Sequence, residues 1–228
     1  MYKYDLHVHT DAGSLCGVSA PEEIVSAYHR AGYSGIVITD HFIKGNTCVP
    51  QNIPFEQRID IYYSAVLRAR RAAEIYHGFT VFFGAEFAYA AGAEILIYGA
   101  EPDFLKAHPE IEKLEIEEIC GLLRRNGCLT VKAHPYRIRP YNDPSVSHEL
   151  YCVDGYEVYN SHNTAEENAK ALAFARGNGL IMTSGGDIHD CSDKNLGKAG
   201  IEADTAPKTN SELIRLLKSE AYRLIADF

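Results

Sequence analysis

An α/β fold, with a parallel sheet closed or nearly closed into a barrel, is what this sequence predicts. Three observations lead there. Short apolar runs alternate with helical stretches along the 228 residues. Seven or eight such runs fit in one chain, with no internal repeat and no low-complexity linker, which suits a single domain spanning 1–228. Histidines and carboxylates fall where the runs end, as at the C-terminal mouth of a βα-barrel. A doubly wound open sheet is the alternative.

The elements follow in order. Residues 4–8 read as a strand. Ser19-Ala20-Pro21-Glu22 opens a helix, with Ser19 as N-cap and Pro21 early in the first turn, where its missing N–H costs nothing. Ile24, Val25, Ala27 and Tyr28 continue at helical spacing and Gly32 stops it. Residues 35–39 form the second strand, and a helix runs over about 54–76. Residues 80–83 and 95–98 are strands three and four. A helix over 110–125 ends at Asn126-Gly127, a C-cap pair. Strands at 129–132 and 155–159 follow. Thr164-x-x-Glu167 caps a helix to Arg176, and 180–183 is the seventh strand. A helix over 210–219 and a strand or tail over 222–226 complete the chain. Stretches 42–54 and 137–154 are rich in Pro, Asn and polar residues, and long loops of this kind are often binding loops.

A hydrophobic fraction of 46% supports a sizeable core. The net charge of −9 and pI of about 5.6 argue against long nucleic acid and anionic membranes, which reward a basic face. They leave room for a small phosphorylated substrate beside bound cations. The six cysteines include no CxxC. The first residues lack an apolar signal region, and no run approaches the roughly 18 apolar residues of a membrane span. A cytoplasmic protein with reduced thiols is expected.

His7-x-His9 is the most informative pair, because residues two apart on a strand share a face and can reach one ion. Alone it is weak. Thr39-Asp40-His41, Gly84-Ala85-Glu86, Ala133-His134-Pro135 and Gly186-Asp187-Ile188-His189 each follow a strand and supply further ligand types. His41 is the better ligand of its pair, with Asp40 supporting it. Glu86 can bridge two ions, and Pro135 helps aim His134. Glycines before Asp187 allow close backbone approach. Glu94 is a weaker candidate. His29, His77 and His108 read as surface residues, while His148 and His162 lie in loops. Imidazoles and carboxylates without a thiolate pair describe a cluster of zinc, manganese or iron ions.

These motifs, from Asp5-Leu6-His7-Val8-His9-Thr10 through Ala133-His134-Pro135-Tyr136-Arg137 to Gly186-Asp187-Ile188-His189, resemble the PHP (polymerase and histidinol phosphatase) domain family over about residues 4–200. The resemblance implies a distorted (β/α)7, TIM-like barrel and a two- or three-metal cluster that hydrolyses phosphoesters. By position, one ion would take His7, His9, Glu86 and Asp187. A second would share Glu86 and take His134, and a third would take His41 and His189. Two departures matter. Where many members place a third-ion ligand after the HxH pair, this chain offers Asp11 or Cys16. Where many have another histidine between the Glu86 and His134 motifs, it has Glu94.

The expected activity is therefore metal-dependent hydrolysis of a small phosphomonoester or phosphodiester. Asp187 or His189 could relay the leaving-group proton, and Arg137 or Arg139 could clamp a phosphate bidentately, with Lys132 and Lys44 as weaker partners. Histidinol-phosphate phosphatase, a nucleotide phosphodiesterase or short-oligonucleotide nuclease, and a non-catalytic metal-binding PHP module are the alternatives.

Overall fold

The computed structural model describes all of residues 1–228. Its strands are β1 (Tyr2–Val8), β2 (Gly35–Ile38), β3 (Thr80–Ala90), β4 (Ala93–Tyr98), β5 (Leu129–Lys132), β6 (Gly155–Asn160), β7 (Ile181–Gly185), β8 (Gly200–Ala203) and β9 (Tyr222–Ile225). Helices are α1 (Pro21–Arg30), α2 (Phe55–Ala73), α3 (Pro102–Ala107), α4 (Ile116–Arg125), α5 (Ala165–Asn178) and α6 (Asn210–Ser219). The strands form one sheet in the order β7-β6-β5-β4-β3-β2-β1-β8-β9.

The sheet curls into a nearly closed, distorted barrel with helices outside. At the C-terminal end β7 meets β1: the Asp187 N–H donates to the His7 carbonyl at 2.8 Å and the His9 N–H to that of Ile188 at 2.9 Å. At the other end the β8–β9 pair fills the seam. β8 runs antiparallel to β1. The Ser184 hydroxyl accepts from Gly200 N–H and donates to the Ile225 carbonyl.

The sheet is mixed rather than parallel. β4 runs antiparallel to both β3 and β5. β3 and β4 are longer than the sequence reading made them and meet at Ala91-Gly92, with Gly92 at φ 69°. A connection that short forces antiparallel pairing, because a parallel return needs a long crossover. Glu86 thus lies inside β3, not past its end, and Glu94 belongs to β4. Three other expectations shift. Ala20, not Ser19, is the N-cap of α1, and Glu23 reaches back to its N–H. The expected 110–125 helix begins only at Ile116, behind a short 3-10 turn at Pro109–Glu112. Neither β8 nor α3 was expected. Thr164 and Glu167 do form a capping box for α5.

The core has two parts. Tyr4, Leu6, Val37, Phe82, Leu96, Tyr98, Leu129 and Val131 fill the barrel, with Leu213 and Leu217 of α6 packed on them. Ile36, Ile38, Val81, Phe83 and Val158 face the helices instead. The alternation of 36/38 against 37, and of 81/83 against 82, is the period of a strand buried on both faces.

Candidate metal centre

A strand alternates its faces, so Leu6 in the barrel core would send His7 outward. An irregularity intervenes: Asp5 pairs with Ile36 and Val8 with Ile38, three steps on β1 against two on β2. Such a bulge lets consecutive residues share a face, and His7 and His9 both reach the mouth. A similar shift between Glu157 and Tyr159 on β6 brings Glu157 and Asn160 inward together.

Glu86 is the centre of the arrangement. Its Oε1 lies 2.9 Å from His134 Nε2 and 3.3 Å from His7 Nε2. Its Oε2 lies 3.1 Å from His41 Nδ1 and 3.3 Å from His9 Nε2. Glu94 spans His41 Nδ1 at 3.4 Å and His134 Nε2 at 3.2 Å. Asp187 Oδ1 sits 3.5 Å from His7 Nε2, 3.4 Å from His9 Nε2 and 3.7 Å from His189 Nδ1. Four triads hold ligand atoms within 4.8 Å of one another: His7, His9 and Asp187; His7, Glu86 and His134; His41, Glu86 and Glu94; His9, His41 and His189. His134 and Asp187 have φ of 25° and 54°, a left-handed backbone that costs about 1–3 kcal/mol each and tends to cluster at functional sites. A Cβ at Gly185 would fall 2.5 Å from His7 Cβ, so glycine allows this approach.

The far side of each ring fixes its tautomer. His7 Nδ1 donates to Glu157 Oε1 at 2.9 Å. His9 Nδ1 lies 3.0 Å from Ser14 Oγ, whose proton goes to Asp40, so His9 Nδ1 is the donor. His9 Nε2, 3.0 Å from His7 Nε2, then presents a lone pair to the centre. Burial, with the charge of His189 next, pulls His9 down to about 3, so the ring is neutral. A neutral Nε2 aimed at two carboxylates is repulsive unless a cation lies between them. His41 Nδ1, buried without a hydrogen-bond partner despite two adjacent carboxylates, makes the same demand. The donor set therefore fits divalent metal. Burial pushes Glu86 and Asp187 up, but His7 together with His41 (for Glu86) and Arg137 (for Asp187) outweighs it and holds both well below the usual carboxylate range.

The centre lines a pocket of about 670 Å³ with Cys16, Lys44, Asn46, Tyr89, Arg137 and Tyr141 around it. The structure thus brings together His7, His9, His41, Glu86, Glu94, His134, Asp187 and His189, with Cys16 beside the last. Burial raises the Cys16 thiol, but hydrogen bonds with His189 and His41 outweigh this and bring it to about 6. Asp11 is exposed and belongs to none of the triads.

Arg137 is committed differently from expectation. Its three nitrogens donate to Asp187 at 2.7 Å, Asn163 at 2.8 Å and Asn160 at 2.7 Å. Arg139 points away, to Glu167 and the His162 carbonyl. Lys132 is buried under Tyr89 and held by the Glu94 carbonyl. Asp40 supports His9 through Ser14 rather than the His41 ring. Glu157 was missed by the sequence reading. It holds His7, the His134 N–H and Asn160 Nδ2, and a glutamate in the fully buried run Gly155–Asn160 was the available signal.

The PHP domain family model matches residues 5–222. A two-domain protein from Bacteroides vulgatus, containing a domain assigned as a PHP-like metal-dependent phosphoesterase, has the same fold, with a TM-score of 0.69 at 17% identity over 99% of this chain. This chain spans 64% of that protein's length. A Bifidobacterium adolescentis protein assigned as a metal-dependent phosphoesterase matches with a TM-score of 0.57 at 14% identity, over 94% of this chain and 95% of its own. Endonuclease Q, bound to a 27-mer duplex with an abasic lesion, matches at 0.61 and 13% identity, over 96% of this chain and 56% of its own. No curated protein matches the chain. No helix is long and apolar enough to cross a membrane. The chain belongs to the PHP domain family.

Proposed function

From membership in the PHP family we infer that this chain is a cytoplasmic hydrolase of small phosphate esters, working as one barrel over 1–228 with two or three zinc, manganese or iron ions. The observation that carries this is the Glu86 carboxylate, flanked on each oxygen by two imidazoles within 3.3 Å. One carboxylate so placed can serve two ions, the arrangement suited to in-line displacement at phosphorus.

His7, His9 and Asp187 would hold one ion, with Glu86 shared. His134 and Glu94 would complete a second, and His41, His189 and Cys16 a third. When bound, such ions make water acidic enough to ionise near neutral pH and offset charge on phosphoryl oxygens. The remaining work falls to side chains. Arg137 fixes Asp187 and keeps two of its five N–H groups free for a phosphoryl oxygen. Lys44, on the pocket wall, is a second phosphate partner. Where the third ion is absent, His189, 28% exposed, could instead pass a proton to the leaving group.

The acidic chain favours a small substrate, histidinol phosphate or a nucleotide among them. Endonuclease Q acts on DNA with this fold, so an abasic duplex belongs in the test. Metal-replete protein assayed on sugar phosphates, histidinol phosphate, nucleotides, dinucleotides and abasic DNA should release product from a small ester, stimulated by manganese, zinc or iron and abolished by chelation. Asp187→Asn should be inactive. Equal inertness of native and Asp187→Asn protein on every substrate would leave only a metal-binding module.

A further inference from the structure

Away from the metal centre, Cys120 Sγ and Cys152 Sγ lie 3.3 Å apart. They come from elements far apart in sequence. Cys120 is buried on the inner face of α4. Cys152 is half-buried in the segment that carries the 137–154 loop into β6. A disulfide needs its sulfurs at about 2.05 Å, so about 1.3 Å separates contact from bond. Cys152 sits outside any helix or strand, where that shift disturbs no backbone ladder. Theirs is the sulfur–sulfur hydrogen bond of the molecule.

We propose that Cys120 and Cys152 form a reversible disulfide that pins the pocket-side loop 137–154 to α4. This goes beyond the hydrolase reading and does not depend on it. The oxidant is a small-molecule disulfide such as oxidised glutathione. The more accessible Cys152 thiolate attacks one glutathione sulfur, forming a mixed disulfide and releasing one glutathione thiolate. Cys120, on losing its proton to solvent, attacks the Cys152 sulfur, and the second glutathione leaves. Two protein thiols are oxidised and one disulfide is reduced to two thiols, so the exchange balances. Arg124 supports the first step: its guanidinium donates to the Cys152 carbonyl at 2.7 Å, and its charge favours the thiolate. Cys152 is half-buried and Cys120 fully buried, which assigns attacker and resolver.

The bond has a route to the pocket. Tyr89 lines the pocket, while its hydroxyl is buried without a hydrogen-bond partner; burial raises it, and Cys152 and Cys120 add to the rise. Tyr141, on the loop itself, forms another part of the wall.

The test uses the full chain incubated with excess oxidised glutathione, quenched by alkylation, unfolded and digested. The expected result is a Cys120–Cys152 cross-linked peptide, restored to two free thiols by dithiothreitol. Hydrogen exchange over 137–154 should slow in the oxidised protein and stay unchanged in Cys152→Ser treated identically. Full alkylation of both residues, or Cys152 stalled as a glutathione adduct with Cys120 free, overturns the proposal. So does a cross-link that leaves exchange over 137–154 unaltered.

Discussion

The inner and outer halves of the metal centre are built differently. In the inner half, three of the ligands are gripped from behind by a buried partner. Glu157 holds His7, the Ser14–Asp40 pair holds His9, and Arg137 with Asn160 holds Asp187. In the outer half, His189 is tied to a neighbouring backbone carbonyl and to Cys16, and Cys16 itself sits in a turn-rich loop, half-exposed. Ligand orientation is part of metal affinity, so a site whose ligands are held in advance binds more tightly. The contrast predicts a tight and a loose metal site in one pocket, on either side of one carboxylate.

Glu86→Gln should break the contrast altogether, since both halves draw on that carboxylate. Bound metal should fall below one ion per chain by elemental analysis, and hydrolysis should drop by more than about 100-fold. Retention of all ions would show that Glu86 bridges nothing. Glu157→Gln attacks the inner half alone. The amide oxygen still accepts from His7, but the charge that raises ligand basicity is gone. Inner-site affinity should fall about 10–100-fold, read by competition with a metal indicator, while the outer site holds.

Mild chelation should remove the outer ion first, leaving two. Cys16→Ser should deepen that difference, because a neutral hydroxyl is a poorer ligand than a thiolate. An outer ion held as tightly as the inner pair, in both proteins, would contradict the reading of Cys16. The smallest effect is expected at Arg139→Ala. Its ion pair with Glu167 is partly exposed, worth about 0–1 kcal/mol, and it faces away from the pocket. Melting temperature should barely move and kcat should not change. A large loss of activity would return Arg139 to the phosphate-binding role that the sequence suggested.

Most of the centre was legible in the sequence because ligand chemistry restricts residue type. Few explanations other than a cation suit His7-x-His9, His41, Glu86, His134 and Asp187 at the borders of apolar runs. What could not be read depends on geometry that residue type does not encode. The bulges on β1 and β6 decide that His7 faces inward beside Leu6 and that Glu157 lies behind it. The β3–β4 hairpin reverses one strand, which brings Glu94 into the cluster with Glu86 and His41. The Asp11-or-Cys16 choice needed the path of a loop. Arg137 read as a free clamp because nothing in the sequence reveals that Asp187, fifty residues later, stands against it.

The most direct measurement is the metal content of protein purified without chelator, combined with anomalous scattering from its crystals. Two or three ions per chain are expected, with two of them in contact with Glu86 and the outer one at His41 and His189. Folded protein carrying less than one ion per chain, after growth with zinc, manganese and iron supplied, would contradict the account.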